Sequence, residues 1–476
     1  MGRPRTGGTM QDVEMVDVAD GAPARAPRHR PSARPTGAER HRRRVAVLVV
    51  LVLVVAGAVA VGRAAGSDVP VAAVVPGMLA PLDGPPWVRW RVPAERGDQV
   101  LAATDVLVVS AVRDRRFTVS GYDELTGERL WQRDLGPVAG TRPLTGCPHG
   151  EQDVGDLVLC VVEPPVVLAE PWVRETVSFP APDERWARVF ALDATTGEVV
   201  GSWSRTGRLS AVERLDDDLV MMEVGSDGHA RVGRFAGDDG TRAWGYRSPG
   251  PLRLREGIVS GTDLRVSESF VLMQGWSATV LDAADGTELS RTPPAEFVVG
   301  SLSGDVYGTW SSAGGVVRDR RGDPLFSSRA LPPTLAASDG EPADVLVLDE
   351  GGALVGRALP AGDQLWRLET YRSVRLQSEG HLLLLGVDGY QVVDVRTGLV
   401  QWESPSRVLM WWAPLTDGEI VVAPGRSGTG EPVVEGRRIA DGSLVWVLPL
   451  ADGVRSVTAV GGHLVLRSRD ELILLA

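Results

Sequence analysis

A short unit of alternating apolar and polar residues recurs along most of the chain, and each copy turns at a glycine. The clearest copies are GYDELTGERLW at 121–131, ALDATTGEVVGSW at 191–203 and VVDVRTGLVQW at 392–402. In each, an apolar run ends at an aspartate, a glycine follows four residues later, and a second run carries a tryptophan. An apolar period of two predicts strands, and glycine suits a turn that needs a positive φ. The unit is therefore predicted to be two antiparallel strands joined by a tight turn.

Five weaker copies extend the pattern. They are RFAGDDGTRAW at 234–244, VLDAADGTEL at 280–289, RALPAGDQLW at 357–366, RRIADGSLVW at 437–446 and the most degraded one, RDRRGDPLF at 318–326. The eight turn glycines are Gly127, Gly197, Gly240, Gly286, Gly322, Gly362, Gly398 and Gly442. Two more short apolar runs precede each copy. Four strands in a repeat of about 40 residues are typical of a β-propeller blade.

Six tryptophans follow the turn glycines by four to six residues. We expect each to pack between neighbouring blades, where it would bury on the order of 200 Å². These blade-docking residues are Trp131, Trp203, Trp244, Trp366, Trp402 and Trp446.

The pattern A-x-D-x-x-T-G-x-x-x-W resembles the repeat of propellers of the pyrroloquinoline-quinone (PQQ) type. The match is good at Asp123, Gly127 and Trp131 and at Asp193 and Gly197, and the resemblance covers about residues 86–476. Quinone-dependent alcohol dehydrogenases and the propeller lipoprotein of the outer-membrane assembly machinery share this repeat. The resemblance implies the fold and leaves the function open.

The two ends of the repeat region are predicted to close the ring together. WVRWRV at 87–92 is similar to an outermost strand without companions, and GHLVLRSRDELILLA at 462–476 lacks a tryptophan strand. Eight copies and one split blade would make nine. The family usually has eight, so we predict an all-β, eight-bladed propeller of four-stranded blades in which the module around 318–326 is not a full blade.

Residues 45–62 contain eighteen positions without a polar side chain. A helix of that length spans about 27 Å, close to the hydrocarbon core of a bilayer. Arg42, Arg43 and Arg44 precede it, which predicts that residues 1–44 are cytoplasmic and the C-terminal body lies outside. A signal peptide cleaved near Ala64-Ala65-Gly66 is the alternative, but its apolar region would be shorter. We predict a disordered tail (1–44), a transmembrane helix (45–62), a Pro/Ala/Gly linker (63–85) and an ectodomain (86–476).

The charge is distributed unevenly along the chain. The net charge is −12, and residues 1–62 hold ten Arg against five acids, so the remainder carries −12 − 5 = −17. An acidic body is poorly suited to nucleic acid. The chain has no Lys and no Asn, whose codons are A-rich, which predicts a high-GC, actinobacterial source.

Candidate chemistry is sparse. Cys147 and Cys160 are close enough in one repeat for a disulfide outside the cytoplasm, and two cysteines alone do not make a zinc site. An insertion near 164–186 contains Trp172, which would either contact a ligand or pack its own loop. Asp216, Asp217 and Asp218 could attract a cation, although their spacing does not match a calcium loop.

The resemblance to quinone-dependent dehydrogenases implies a calcium held by an acidic residue and an Asn, a catalytic Asp and often two adjacent cysteines. This chain has no Asn and no adjacent cysteines, so we assign no catalytic, cofactor-binding or metal residues. We predict a monomeric, membrane-anchored, non-enzymatic scaffold or binding module for an envelope protein or a cell-wall ligand. A quinone-dependent oxidoreductase and a ligand sensor are the alternatives.

Overall fold

The computed structural model describes residues 77–476 apart from 83, 96, 139–143, 149–154, 164–185, 208, 226, 253–262, 294–297, 406–412 and 452. The described residues contain no α-helix, and so none that could cross a membrane. The predicted cytoplasmic tail, transmembrane helix and most of the linker lie outside this range.

The described chain forms nine β-sheets, which are the blades of a β-propeller. The first three blades contain the following strands. Blade 1 is β2 (Gln99–Ala103), β3 (Val106–Arg113), β4 (Arg116–Asp123) and β5 (Arg129–Pro137). Blade 2 is β6 (Leu157–Val162), β7 (Trp186–Asp193) and β8 (Val199–Thr206). Blade 3 is β9 (Leu209–Leu215), β10 (Asp218–Val224), β11 (His229–Ala236) and β12 (Arg242–Pro251).

The next three blades continue in chain order. Blade 4 is β13 (Asp263–Val266), β14 (Phe270–Gln274), β15 (Ala278–Asp282) and β16 (Glu288–Arg291). Blade 5 is β17 (Val298–Ser303), β18 (Val306–Ser311), β19 (Gly314–Asp319) and β20 (Pro324–Ser328). Blade 6 is β22 (Val345–Asp349), β23 (Ala353–Ala358) and β24 (Gln364–Glu369).

The last three blades include the closure of the ring. Blade 7 is β21 (Ala337–Ser338), β25 (Ser373–Ser378), β26 (His381–Gly386), β27 (Gly389–Asp394) and β28 (Val400–Ser404). Blade 8 is β29 (Leu415–Thr416), β30 (Ile420–Arg426), β31 (Pro432–Arg438) and β32 (Leu444–Pro449). Blade 9 is β33 (Ser456–Val460), β34 (His463–Arg467), β35 (Glu471–Leu475) and the N-terminal β1 (Val88–Pro93).

The prediction of eight blades is wrong, because the degraded module around 318–326 is part of a complete blade. Blade 5 has all four strands, with β19 paired to β20 around the turn at Gly322. Gly322 takes a φ of 87°, as the turn requires, and Phe326 pairs with Val317 in the strand that usually carries the tryptophan. The turn and one aromatic side chain are enough to keep the blade, although the rest of the motif is missing.

The ring closes through strand pairing between the two ends of the chain. β1 runs antiparallel to β35, with Arg91 opposite Ile473. Part of the predicted linker also joins the body: Leu79 N donates to Thr416 O and Ala80 N to Gly462 O, each at 2.7 Å. Met78 and Leu79 are buried. Residues 78–80 therefore bond to blades 8 and 9, and β1 completes blade 9.

Blade 6 lacks a regular innermost strand for a local chemical reason. Leu331 pairs with Asp349 of β22, but Pro332 and Pro333 follow and have no N–H to continue the ladder. The chain instead moves to blade 7, where β21 pairs in parallel with β25.

The hydrophobic core lies between blades. In most blades the second and third strands are the most buried, as in HLLLLG of β26, whose four leucines are all buried. One cluster joins Val108 and Phe117 of blade 1 to Val158 and Leu192 of blade 2. Each blade therefore has two buried faces, and its stability depends on both neighbours.

Tryptophans of the outer strands connect blades 1, 2, 3, 6 and 7 to the next blade. Trp131 Nε1 donates to Ala194 O at 2.8 Å, and Trp244 Nε1 donates to Ala283 O at 3.0 Å. Trp203, Trp366 and Trp402 make the same bond to Gly237, Val395 and Ile439. Trp90 of β1, in blade 9, donates the corresponding hydrogen bond to Glu124 O of blade 1 at 2.8 Å. Trp446 is buried too, and its Nε1 has no acceptor among the described residues.

The indole of Trp131 lies between two glycines. A Cβ added to Gly121, in the same blade, would stand 2.3 Å from Cε2 of the ring, and one added to Gly197, in the next blade, would stand 2.4 Å from Cδ2. Gly197 also takes a φ of 65°. Both sides of the ring therefore need a position without a side chain.

We expect Gly197→Ala to destabilise the protein by roughly 2–4 kcal/mol, because a methyl group must displace a packed indole and alanine must adopt a left-handed φ. Thermal unfolding of the full chain in detergent measures the effect. Gly250→Ala is the matched control, since nothing lies within 4 Å of its added Cβ. Equal Tm values for the two variants would contradict the docking role of Gly197.

Candidate functional site

The ring has two faces that differ in their connections. Strands alternate in direction within an antiparallel blade. Strand positions are counted from the innermost to the outermost, so that β22 of blade 6, which lacks a regular innermost strand, is at the second position. The turns between the first and second positions and between the third and fourth positions therefore lie on one face, which we call the turn face. The turns between second and third strands, and the connections between blades, lie on the other, which we call the loop face.

The turn face is shaped by its own side chains. Asp123 Oδ1 accepts hydrogen bonds from Thr126 N at 2.7 Å and from Thr126 Oγ1 at 2.8 Å. The hydroxyl bond is the main reason why the pKa of Asp123 is lowered from its usual value. The same pair of bonds recurs at Asp193 with Thr196 and at Asp394 with Thr397. The recurring aspartates therefore close turns, which accounts for their place in the motif.

The three consecutive aspartates that could attract a cation are paired with arginines. Asp217 Oδ1 lies 3.0 Å from Arg214 Nη2, and Asp216 and Asp218 both contact Arg234, at 3.4 and 2.5 Å. Within the part of the chain that the structure describes, no group of three His, Cys, Asp or Glu side chains could hold a metal ion.

The donor set associated with a bound quinone does not fit this chain. No Asn is available to join an acidic residue at a calcium ion. The two cysteines, thirteen positions apart, are bonded to each other across blade 2. The residues present therefore disagree with the quinone site that the repeat implies, and we derive no chemistry through that cofactor.

The disulfide between Cys147 and Cys160 completes blade 2. Gly146 pairs with Val161 of β6 through two backbone hydrogen bonds, 2.8 and 3.1 Å long, so residues 144–148 occupy the innermost position of the blade. Cys147 N donates to Gln99 Oε1 of blade 1 at 3.1 Å. The bridge ties a short innermost segment to the strand beside it.

Two side chains that the sequence analysis missed stand out on the loop face. Tyr371, between β24 and β25, is 94% exposed, and Val387, in the turn between β26 and β27, is 78% exposed. They are the most exposed large hydrophobic residues in the described chain. Neither residue occupies a position of the repeat. The one signal in the sequence is that Tyr371 is an aromatic residue outside the tryptophan motif. Trp172, the predicted loop contact, lies outside the described residues.

Comparison with known proteins agrees with this architecture. The model of a family described as outer membrane protein assembly factor BamB matches residues 115–318. This protein is a PQQ-type β-propeller repeat protein. No curated protein matches the chain.

Three solved structures are similar to the chain. BamB from Moraxella catarrhalis has a TM-score of 0.45 and 14% identity, covering 82% of this chain and 99% of that one. The computationally designed Ika8 protein has a TM-score of 0.39 and 15% identity, covering 83% of this chain and 98% of that one. The quinohemoprotein alcohol dehydrogenase ADHIIG from Pseudomonas putida HK5 has a TM-score of 0.40 and 13% identity, covering 82% of this chain and 76% of that one. At these scores the three structures add no argument about function.

We expect the double variant Cys147→Ser, Cys160→Ser to lose about 3 kcal/mol of stability, because the bridge no longer restricts the unfolded chain. Differential scanning calorimetry of the full chain measures the loss. Reductant should lower the Tm of the wild type and leave that of the double variant unchanged. Two thiols that react with maleimide in the folded, unreduced wild type would contradict the bridge.

Proposed function

We propose that this protein is a membrane-anchored, extracytoplasmic scaffold that binds a protein partner through the loop face of its propeller and carries out no reaction itself. The observation that carries the proposal is the contrast between the two faces. The recurring residues of the repeat fix the turn face through their own hydrogen bonds, whereas Tyr371 and Val387 on the loop face belong to no repeat position.

The matching family supports a binding role. Its description names an outer membrane protein assembly factor, and a role in assembly favours the binding of other proteins over catalysis. A PQQ-type ring suits that task, because tryptophan–glycine contacts fix most of the junctions between blades and so hold the loops in place. The assembly machinery of an outer membrane is a narrower role, and we do not extend the proposal to it.

The anchor rests on sequence. Residues 45–62 are long and apolar enough to span a bilayer, and the three arginines before them favour a cytoplasmic N-terminus. The disulfide between Cys147 and Cys160 is consistent with a propeller outside the cytoplasm.

A quinone enzyme is the competing function, since the repeat type is shared with such enzymes. We expect the full chain in detergent to show no saturable absorbance change with micromolar PQQ and calcium, and no dye reduction with simple alcohols. Formaldehyde treatment of intact cells should instead yield a discrete complex of the chain with another protein. Saturable quinone binding with turnover would contradict the scaffold.

We expect Val52→Arg combined with Val55→Arg to abolish membrane association, because each charge near the centre of the span costs about 3 kcal/mol. Alkaline carbonate extraction of cell membranes measures it: the wild type should stay in the pellet. Val71→Arg, in the linker, is the control and should behave as the wild type. Release of the wild type by carbonate would count against an anchor.

A further inference from the structure

The chain enters the ring on the turn face, over blades 8 and 9. Leu82 N donates to Asp417 Oδ2 at 2.8 Å, and Asp417 lies in the turn between β29 and β30. Trp87 N donates to Ala476 O at 3.0 Å, at the turn-face end of β35. The described segment that precedes β1 therefore runs along the turn face, from the inner part of blade 8 to the outermost position of blade 9.

Three consecutive blades beside this segment expose an aliphatic side chain near the turn face. Two positions before the tryptophan of the outermost strand stand Val400 in blade 7, Leu444 in blade 8 and Val88 in blade 9. All three are exposed to solvent. The corresponding residues of the other six blades are Arg129, Gly201, Arg242, Glu288, Pro324 and Gln364. An exposed aliphatic side chain at this position is therefore confined to three neighbouring blades, two of which bind the entering segment.

Large apolar side chains next to this position enlarge the exposed surface. Leu399 is 67% exposed and Trp87 is 61% exposed, and Val445 follows Leu444 along β32 and is exposed too. Several large apolar side chains on one side of a domain mark a site of interaction with a protein or a membrane. We call this surface the entry patch, and it consists of Trp87, Val88, Leu399, Val400, Leu444 and Val445.

We infer that the entry patch inserts into the interfacial region of the bilayer that the anchor spans. This inference rests on the proposed function, since it requires the anchor. The predicted span ends at Gly62, fifteen residues before Gly77. An extended chain of that length reaches at most about 50 Å, and it joins the propeller on the face that carries the patch. Tryptophan is enriched at the boundary between bilayer and water, which suits Trp87.

The charges of the turn face favour blades 7 to 9 over the next blades of the ring. The turn of blade 7 contains Asp394 and Arg396, and the turn of blade 8 contains Arg438 and Asp441, so the charges balance in both. Residues 123–128 of blade 1 contain three acids and no arginine. An anionic bilayer surface attracts arginine and repels acids. The same face can therefore approach lipid at blades 7 to 9 more closely than at blade 1.

A folded protein fits the entry patch less well than a bilayer does. A stable protein contact covers about 800 Å² on each partner and has a continuous apolar core. The side chains of the patch instead stand on three separate outermost strands. A bilayer interface accepts such side chains one by one, because it is fluid and has no fixed shape to match. With the patch on lipid, the loop face is turned away from the bilayer and stays open to a protein partner.

Quenching by doxyl-labelled lipids tests the inference on the full chain in nanodiscs of phosphatidylcholine and phosphatidylglycerol. The two native cysteines are bonded to each other, so a single added cysteine can carry an environment-sensitive fluorophore. We expect labels at Leu399→Cys and Leu444→Cys to be quenched at least threefold more than a label at Val387→Cys on the loop face. Leu125→Cys is the matched control on the turn face, since Leu125 is 64% exposed but lies in the acidic turn of blade 1. Its label should be quenched no more than that of Val387→Cys.

A charge within the patch should weaken the contact with lipid. Leu444→Asp is expected to reduce the quenching of a label at position 399 at least twofold, because a carboxylate resists transfer from water into the interface. Leu125→Asp should leave that quenching unchanged. Both substitutions are at exposed positions, and unchanged Tm values confirm that folding is intact.

A label at Ala64→Cys, two residues after the predicted span, reports the anchor independently. If that label is quenched and those at 399 and 444 are not, the anchor stands and the inference fails. If the label at 64 is not quenched either, the anchor and the inference fail together. Stronger quenching at 387 than at 399, or equal quenching at 125 and 399, overturns the assignment of the bilayer to blades 7 to 9. Labels that are shielded from iodide but not reached by doxyl lipids identify a second copy in place of lipid.

Discussion

The structure depends on one contact repeated around the ring: an indole of one blade packed against a turn glycine of the next. Trp131 illustrates it, with Gly197 under one side of the ring and the indole N–H bonded to Ala194 O. The contact joins packing and hydrogen bonding across a boundary that has no shared β-ladder. Because most blades both give and receive such a contact, a blade is stable only when its neighbours are in place, as in other repeat architectures.

The places where this contact is modified show what the fold requires. Ser290 stands at the tryptophan position of blade 4, and the junction to blade 5 is filled instead by Tyr307, which is fully buried and edge-on to Phe270 at 5.0 Å. At the next junction Phe326 packs on Gly362, in the way that Trp131 packs on Gly197. A large ring in the gap is therefore needed, but its chemical identity and its strand of origin are free to vary. The indole N–H bond adds to the contact without being essential to it.

Sequence reasoning succeeded where a property is local and repeated, and failed where it is neither. The repeat type and its blades could be predicted, because Asp123, Gly127 and Trp131 recur with fixed spacing. The count was wrong because the usual family number was preferred to the nine modules in the sequence, with Gly322 and Phe326 judged too degraded. The pairing of Leu79 with Thr416 could not be foreseen, because it joins residues more than three hundred positions apart. The exposure of Tyr371 and Val387 could not be foreseen either, since both lie in connections without a repeat motif.

The same constraint explains why the two faces can differ so much. On the turn face, the turn glycine recurs in blades 1 to 8. In blades 1, 2 and 7 the aspartate and the threonine also hold the turn that carries the acceptor carbonyl for the preceding tryptophan. A change there weakens a blade junction. On the loop face, each turn is held by bonds of its own, such as Gly351 N to Asp349 Oδ1 and Glu431 N to Ser427 Oγ, and no side chain recurs from blade to blade. The requirements that recur from blade to blade therefore lie on one side of the ring, and Tyr371 and Val387 lie on the other, through which we propose that the scaffold binds.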